Sequence, residues 1–484
     1  MTNLSDLFPA GAGKQVSFVA DGAISAAGKP VILNSAGTVT QVGQSAASEV
    51  GVGTPVVFNS GTTQTPANTF DSTNNKIVSA YYYWTGSANQ GTAIVGTVSG
   101  TAISFGTAAA MASSVPTWLS IVYDANAQKV VVSYRDAGNL DYGTSIVGTV
   151  SGTSISFGTP VVFASADSPN TSSVYDSSNS KVVIAYQDYP NSRYGTAIVG
   201  TVSGTSISFG SEVVFNAGES SKISTAYDSS NNKVVISCRD ETSSVVGSAV
   251  VGTVSGTSIS FGTKATFNSG GTSMIGSSFD TTANKVVFSY QDGTNSDYGT
   301  GIVGTVSGTS ISFGTAAVFN AAATADTSCA YDPSADRVVI SYNNSGNSNY
   351  GTVIAGAVSG TSISFNTAAV FESATTTGPI SSYDSSAGKV VTTYQANDGK
   401  AVVLSASASN LTATNFIGIS DAAISDTASG NVTIKGGIAA TGLTSLTPGS
   451  DYYAQDDGTI TTASAGKKIG KAMSATSINL EYQS

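Results

Sequence analysis

The stretch Gly51-Val-Gly-Thr-Pro-Val-Val-Phe-Asn59 decides the fold, because a close copy, Ser156-Phe-Gly-Thr-Pro-Val-Val-Phe163, lies far along the chain. The copy ends one unit of a tandem repeat, whereas residues 51–59 precede the first unit. The start of the chain therefore carries the end of a repeat, and the architecture must explain why.

The repeat has a constant period. The Phe of the motif Ser-Phe-Gly-Thr, or of a close variant, recurs every 52 residues without drift. A second landmark, an aromatic residue followed by Asp, has seven copies, against six of the first. Internal repeats of this length indicate one supersecondary unit used many times. The Phe landmarks are Phe105, Phe157, Phe209, Phe261, Phe313 and Phe365, and the Asp landmarks are Asp71, Asp124, Asp176, Asp228, Asp280, Asp332 and Asp384.

Each repeat predicts four strands, named a to d, and no segment has helical periodicity. Apolar residues occupy both alternation phases, which is typical of sheets covered on both faces. Residues that favour turns, Asp176-Ser-Ser-Asn-Ser180 and Gly204, separate the first and the last pair of strands. In residues 169–215 the predicted strands are Thr171–Tyr175, Lys181–Gln187, Thr196–Val202 and Ser206–Phe215.

Four-stranded units in tandem are typical of β-propeller blades. A linear β-solenoid is the rival, but its coils are shorter and it needs a cap at each end. The unequal landmark counts favour the ring, because residues 377–405 lack a fourth strand and residues 50–59 supply one. The sequence therefore predicts an all-β chain with a seven-bladed β-propeller of 52-residue, four-stranded blades, whose last blade is closed by residues 50–59.

The residues outside the ring predict a small β module into which the propeller is inserted. Short β-like runs between turn signals occur in Gln15–Val42 and again in residues 415–481. Because a closed ring brings its two ends out near one place, we expect the two flanks to pair. The predicted domains are residues 1–46 and 409–484 for the module and 47–408 for the propeller.

Composition excludes several classes of function. The net charge of −11 argues against a nucleic-acid partner, which demands a basic surface. The chain has no histidine, which removes the commonest general base and metal ligand. We see no secretory signal and no stretch apolar enough to insert into a membrane. Two cysteines, Cys238 and Cys329, are expected to be buried small residues rather than a disulfide framework.

No catalytic constellation stands out from the repeat. A sialidase-like hydrolase would show a Trp in its turns and a cluster of arginines, but the arginines here are scattered. No phosphate cradle or nucleophile elbow is present. We therefore predict a protein that is not an enzyme and has no catalytic residue, metal or cofactor. The arginines are Arg135, Arg193, Arg239 and Arg337.

The repeated aspartates have two interpretations. An Asp at a turn usually accepts hydrogen bonds from backbone N–H groups. The sharper alternative is a Ca²⁺ site made of Asp, Ser and Asn oxygens. One carboxylate per turn is few for calcium, so the turn interpretation is favoured. The strand-b tyrosines are interpreted as packing residues rather than ligand platforms; they are Tyr134, Tyr186, Tyr290, Tyr342 and Tyr394.

The loops between strands b and c vary from copy to copy, whereas the a–b and c–d turns barely change. Variable polar and aromatic residues on a rigid scaffold are typical of binding surfaces, and these would suit glycan hydroxyls and sugar faces. The alternative is drift without constraint. The candidate ligand-binding residues are Arg135, Asp136, Tyr142, Gln187, Asp188, Arg193, Tyr194, Arg239, Asp240, Gln291, Asp292, Tyr298, Asn343 and Tyr350.

A resemblance covers most of the chain. The segments Leu446-Thr-Pro-Gly449, Tyr452-Tyr453, Asp457-Gly458-Thr-Ile-Thr-Thr462 and Gly470-Lys-Ala-Met-Ser-Ala-Thr476 resemble a C-terminal module of phage virion proteins, including tail-fibre-like ones. The repeat Ser-Gly-Thr-Ser-Ile-Ser-Phe resembles structural proteins of marine phages. The resemblance implies attachment to other virion proteins through the small module, with the propeller presented outward. A homo-oligomer is then expected, and a trimer for a fibre.

Three functions are compatible with these features. The first is a fibre-like virion protein, made in the host cytoplasm, whose propeller binds a host-surface glycan or protein receptor. The second is a passive capsid decoration or tail spacer without a ligand. The third is a cellular, lectin-like propeller unrelated to phage. The first two share every sequence feature, so position on the particle would separate them.

Overall fold

A computed structural model describes residues 14–34, 37–42, 50–85, 89–112, 115–242, 245–406, 415–454, 458–462 and 467–481. The chain divides into two compact units, Val50–Ala406 and the residues before and after it. We call them the repeat region and the flanking region. The predicted boundaries at 46/47 and 408/409, and Asp457 of the phage-like motif, lie outside the described residues. Among the described residues, no helix has the length and apolar character needed to cross a bilayer.

The all-β prediction is confirmed, and two short 3₁₀ turns, Gly293–Asn295 and Ser345–Asn347, are the described exceptions. The antiparallel pairing a–b–c–d occurs seven times in the repeat region, in repeats numbered 1 to 7. Strands a are Thr63–Asp71, Pro116–Asp124, Ser172–Asp176, the end of Val213–Asp228, Thr272–Asp280, the end of Ala317–Asp332, and Thr377–Asp384. Strands b are Lys76–Trp84, Lys129–Asp136, Lys181–Asp188, Lys233–Asp240, Lys285–Asp292, Arg337–Asn344 and Lys389–Ala396. Strands c are Asn89–Ser99, Tyr142–Ser151, Tyr194–Ser203, Val246–Ser255, Tyr298–Ser307, Tyr350–Ser359 and Asp398–Ala406.

Strand d differs from the prediction, because it consists of two segments rather than one. Both segments pair with the same strand c, and a short break separates them, which contains a Gly in six repeats, such as Gly210 in repeat 3, and Asn366 in repeat 6. The first segments are Ala102–Phe105, Ser154–Phe157, Ser206–Phe209, Ser258–Phe261, Ser310–Phe313, Ser362–Phe365 and Val50–Val52. The second segments are Ala109–Ala112, Val161–Asp167, the start of Val213–Asp228, Ala265–Asn268, the start of Ala317–Asp332, Ala369–Thr375 and Val56–Asn59.

Repeat 7 draws its strand d from the start of the repeat region. Leu404 of strand c pairs with Val52, and Ala401 pairs with Val56, both antiparallel. This is the pairing that the copy of 156–163 at 51–59 predicts. The two ends of the repeat region therefore share one sheet.

The aspartate of each a–b turn is buried and accepts hydrogen bonds from backbone N–H groups, which confirms the turn interpretation. In repeat 3, Asp176 Oδ1 accepts from Ser178 N at 3.0 Å and from Asn179 N at 3.1 Å. The same pair of bonds occurs in all seven repeats, on Asp71, Asp124, Asp176, Asp228, Asp280, Asp332 and Asp384.

Strand b forms the centre of each sheet. Its valines and isoleucines are buried on both faces, and the Tyr near its end packs on a Phe of strand d, as Tyr186 does on Phe163 with 5.2 Å between ring centroids. Cys238 takes the Tyr position in repeat 4. Both cysteines are free and buried, as expected, and burial raises the pKa of each thiol to about 12. The buried tyrosines of strand b are Tyr81, Tyr134, Tyr186, Tyr290, Tyr342 and Tyr394.

Neighbouring repeats meet where a strand-d glycine approaches the next repeat's c–d turn. A Cβ on Gly210 would overlap the carbonyl oxygen of Thr257. The same contact joins repeat 7 to repeat 1, because a Cβ on Gly53 would overlap the carbonyl oxygen of Thr101. The other glycines of this kind are Gly106, Gly158, Gly262 and Gly314. At these six positions only glycine allows the observed approach, whereas repeat 6 has Asn366 at the equivalent position.

The flanking region contains two five-stranded sheets. The first combines residues from both ends of the chain, since Gln15–Val19 pairs with Ser429–Ile434 and Pro30–Leu33 pairs with Phe416–Ser420. Val39–Gln41 completes it. The second sheet comes from the C-terminal residues alone. Its order is Ile438–Ala439, Ser477–Leu480, Lys467–Ser474, Asp451–Ala454 and Ile460–Thr461.

Replacing Gly53 with Ala tests the contact between repeats 7 and 1. We expect Gly53→Ala to lower the free energy of unfolding by about 1–3 kcal/mol, because the new methyl group overpacks against a fixed backbone carbonyl. Gly51→Ala is the matched control, because a Cβ added at Gly51 would lie 3.7 Å from the nearest atoms, Cβ and O of Ser405, which is ordinary van der Waals contact. Chemical denaturation of both variants measures the difference. Equal stability of the two variants would contradict the close approach of Gly53 to Thr101.

Candidate functional site

Strand a carries a β-bulge near its start. In repeat 2 the register with strand b shifts between Thr117 and Ser120, and Trp118 lies within the shift. Corresponding shifts occur in repeats 1, 4, 5, 6 and 7. A bulge leaves one residue unpaired and redirects its side chain. Six repeats therefore place one residue each in an equivalent, irregular position, and in repeat 3, whose strand a begins at Ser172, the same sequence position is Asn170.

The residue at this position has a left-handed backbone in every repeat, with φ between +42° and +56°. Six of the seven are not glycine, although positive φ is uncommon for residues with a side chain. Such strain costs on the order of 1–3 kcal/mol per residue and clusters at functional sites. The seven side chains all differ. They are Thr65, Trp118, Asn170, Lys222, Met274, Asp326 and Gly378, named here the bulge residues.

Six bulge residues line one recess of about 230 Å³, named the axial recess. Its floor adds apolar side chains, Ile223, Ile275 and Ile380. The recess thus has an apolar floor and a rim of one aromatic, one thioether, one amide, one ammonium and one carboxylate group. Ligand pockets combine an apolar lining with a few placed polar groups in this way. The six are Trp118, Asn170, Lys222, Met274, Asp326 and Gly378.

Three consecutive repeats form one connected arc of the rim. Trp118 is 41 % exposed, and the Lys222 ammonium lies 5.9 Å from the centroid of its indole ring. Between them, Asn170 Oδ1 accepts a hydrogen bond from the Lys222 backbone N–H at 3.0 Å. Across the recess, Asp326 Oδ2 accepts from the Gly378 N–H at 3.1 Å. These bonds hold the left-handed segments in place before any ligand arrives.

An axial cavity of about 280 Å³ shares part of this lining, and its wall includes strand-a residues from all seven repeats. Serine and threonine hydroxyls line it and join neighbouring strands, as Ser224 Oγ joins Ser277 Oγ at 2.8 Å. Asn68 is buried there, and its Oδ1 has no hydrogen-bond partner. A buried acceptor left without a hydrogen bond is costly. A cavity of this volume has room for a donor such as water beside Asn68 Oδ1.

The candidate residues at the ends of strands b support the segments that carry the bulge residues. Arg135 is the cross-strand neighbour of Thr117, next to Trp118. Gln187 is buried, and its Oε1 accepts from Asn170 Nδ2 at 3.2 Å. Their ligand-binding role stays a prediction, and the structure places them beneath or beside the recess. The five at this position are Arg135, Gln187, Arg239, Gln291 and Asn343.

The candidate aspartates are turned inward. Asp136, Asp188 and Asp240 are buried, and Asp292 accepts from Thr294 N at 3.1 Å. Asp240 accepts from Lys264 Nζ and from Thr242 Oγ1. Burial disfavours its charge, but these hydrogen bonds outweigh burial and hold the pKa of its carboxyl below the usual range. Asp136, Asp240 and Asp292 therefore accept hydrogen bonds from backbone N–H groups of their own loops, and Asp188 is buried.

The candidate tyrosines begin strand c rather than lying in the loops, which corrects the sequence interpretation. Tyr142 pairs in register with Asp136, because the strands extend further than their apolar runs suggest. All four are half-buried, so they offer less surface than loop residues would. Tyr142, Tyr194, Tyr298 and Tyr350 share this position.

Arg193 has a side chain that is 42 % exposed, and it is already engaged. Its guanidinium lies 4.6 Å from the centroid of the Tyr189 ring and 2.6 Å from Glu219. The candidate residues thus lie at or next to the ends of strands b and the starts of strands c, one set per repeat, and each set bonds largely to its own surroundings. The bulge residues, by contrast, converge on one recess.

Sequence reasoning missed the bulge residues, although one signal marks them. Trp118, Asn170, Lys222, Met274 and Asp326 follow one another at the 52-residue period, and no two are alike. The residue two positions later, by contrast, is Ser in four of these five repeats. A variable position close to a repeated one, at or just before the start of strand a, is therefore the feature that locates the recess.

Changing Asp240 to Asn tests the buried ion pair. We expect Asp240→Asn to lose about 1–3 kcal/mol of stability at pH 7, because Lys264 keeps its charge without a carboxylate partner. The folded-state pKa of Asp240 is depressed, so its contribution is present above the unfolded pKa of roughly 4 and is lost as pH falls through the folded-state value. Denaturation of wild type and variant between pH 2 and pH 7 measures this.

Asp188→Asn is the control, since Asp188 occupies the equivalent position in repeat 3 and forms no ion pair with another described residue. A gap between wild type and Asp240→Asn that persists unchanged at pH 2 would rule out the charged pair as its source.

Comparison with known proteins finds no matching family model and no similar curated protein. Among solved structures, the BP39L lectin from Burkholderia pseudomallei is similar, with 10% identity, a TM-score of 0.52, and coverage of 73% of this chain and 98% of the lectin. The periplasmic gluconolactonase PpgL of Pseudomonas aeruginosa has 10% identity and a TM-score of 0.47, over 74% of this chain and 96% of its own. At this identity the lectin shows the fold alone, which is propeller-like.

Proposed function

We propose that the seven repeats are the blades of a closed, seven-bladed β-propeller. Hydrogen bonds between adjacent repeats support it, because they occur at the junction of the two ends as well. Asn68 Nδ2 of repeat 1 donates to Ile380 O of repeat 7 at 3.0 Å. Hydrogen bonds also join consecutive repeats inside the series, for example repeats 1 and 2, where the Tyr123 hydroxyl donates to Thr73 Oγ1 at 2.6 Å. A linear solenoid would leave its first and last repeats apart.

We infer that this propeller is a saccharide-binding protein whose ligand enters the axial recess. The observation that carries the inference is the convergence of six different bulge residues on one rim. A sugar ring has an apolar C–H face and a hydroxyl edge. Trp118 offers an exposed aromatic face for the former, and Asp326, whose Oδ2 accepts from the Gly378 N–H, offers its second carboxylate oxygen for the latter. The volume of the recess, about 230 Å³, suits one small group rather than a drug-sized ligand.

Two observations support binding rather than catalysis. Glycoside hydrolysis ordinarily uses two carboxyl groups about 5–10 Å apart. Asp326 is the one carboxylate among the bulge residues, and it is bonded to a backbone N–H. The likeness to a lectin in fold agrees with a binding role, and it favours the lectin-like alternative over the virion-specific one.

The virion setting stays a prediction. A particle location, virion partners, a host receptor and a trimer rest on the resemblance of the sequence to phage virion proteins. Saccharide binding at the axial recess does not depend on them. In a virion, the same recess would face the host surface, and in a cellular lectin it would face a glycan of another origin.

The two tryptophans of the chain give the proposal its test. Trp118 lies on the recess rim, whereas Trp84 ends strand b of repeat 1 and is not among the residues that line the recess. We expect Trp118→Ala to lower affinity for a bound glycan at least tenfold, since it removes the stacking face, and Trp84→Ala to leave it unchanged. A glycan array followed by calorimetry measures both.

Fluorescence gives an independent readout. In Trp84→Phe the remaining indole is Trp118, so saccharide binding should change its emission. Binding that Trp118→Ala leaves intact, or the absence of any glycan bound by the folded wild type, would refute the axial site.

A further inference from the structure

Cations at the end of the repeat region that carries the b–c loops are neutralised by nearby carboxylates. Arg135 is 2.6 Å from Asp167, and Lys400 Nζ is 2.7 Å from Glu372. Three further pairs follow this pattern: Arg193 with Glu219, Arg239 with Glu241, and Lys264 with Asp240. With a net charge of −11, the chain has carboxylates to spare for such pairing. A cation left without one at this end needs an explanation.

Lys222 is such a cation. In the part of the chain that the structure describes, it forms no ion pair, and its contact is with the indole of Trp118 at 5.9 Å. Asp326 shares the recess, but its carboxylate binds the Gly378 N–H instead. An aromatic face attracts a cation only weakly in water, and it leaves the ammonium's N–H donors available to a ligand.

The backbone fixes where this ammonium can reach. Lys222 has φ of +50°, and its N–H is held by Asn170 Oδ1 at 3.0 Å. On a regular strand, the side chain would point to one face of the sheet, together with the side chains two residues before and after it. The bulge directs Lys222 to the recess instead, beside the aromatic face that a sugar would use.

We propose that the ligand is an anionic saccharide, whose carboxylate or sulfate pairs with the Lys222 ammonium while its ring packs on Trp118. This proposal rests on the saccharide-binding function and names the class of sugar. A charge-assisted hydrogen bond is about twice as strong as a neutral one, so the acidic group becomes the main source of specificity. Hydroxyl groups on the far edge of the ring face Asp326.

Matched sugars separate the acidic group from the rest of the ligand. Calorimetry with the full chain would compare galactose, galacturonate and galactose 6-sulfate at low salt. We expect one of the two anionic sugars to bind about tenfold tighter than galactose, which corresponds to about 1.4 kcal/mol. The two anionic sugars distinguish a carboxylate from a sulfate. Raising the ionic strength should reduce this preference, because salt screens the pair.

Lys222→Met keeps the length of the side chain and removes its charge. We expect it to abolish the preference for the acidic sugar, so that galactose and its acidic counterpart bind the variant with similar affinity. Lys233→Met is the control, since Lys233 begins strand b at the opposite end of the same repeat. Thermal unfolding of both variants checks that each is folded.

Three outcomes overturn the proposal. Equal affinity for neutral and acidic sugars in the wild type would show that the ligand need not be anionic, while the saccharide-binding function would stand. An acidic preference that survives Lys222→Met would place the anion elsewhere. Binding of none of the sugars, either here or on the array, would remove the function and the inference together.

Discussion

The repeat region depends on how closely one sheet can approach the next. At the glycine that divides strand d in six of the seven repeats, the backbone lies against the carbonyl oxygen of the following c–d turn, and a Cβ there would overlap that oxygen. Because the contact recurs at the same place in these six repeats, each sheet lies at a similar spacing from the next; repeat 6 has Asn366 at this position. Strand-a residues of all seven repeats line one cavity, where hydroxyl groups of neighbouring strands bond to one another.

The two ends of the strands serve different purposes. At the a–b end, one oxygen of each buried Asp carboxylate accepts hydrogen bonds from two backbone N–H groups, as in Asp176, so the turn tolerates few substitutions at the Asp. At the other end, the bulge fixes the backbone and leaves the side chain free to vary. Trp118, Lys222 and Asp326 occupy equivalent positions and have unrelated chemistry. Repetition supplies the scaffold, and divergence at one position per repeat supplies an asymmetric recess.

Much of the architecture could be predicted because it is periodic. The Asp turns, the four strands per repeat and the pairing of residues 50–59 with the last repeat all follow from spacing and alternation. Bulges do not, since a positive φ at Trp118 or Lys222 arises from register with strand b and has no composition of its own. The same lack of register information placed Tyr142 in a loop, although it pairs with Asp136. Loops that vary attracted the site prediction, whereas the converging residues lie at the start of strand a or, for Asn170, two residues before it.

The shared sheet of repeat 7 has a consequence for biosynthesis. Residues 50–59 leave the ribosome long before the strand Asp398–Ala406 that they pair with. At a synthesis rate of about 5–20 residues per second, this edge segment waits for roughly tens of seconds. During that time, residues 50–59 have no strand c of their own chain to pair with. The sheet of repeat 7 can therefore form only after the other six repeats have been synthesised, so it is the last sheet of the repeat region to be completed.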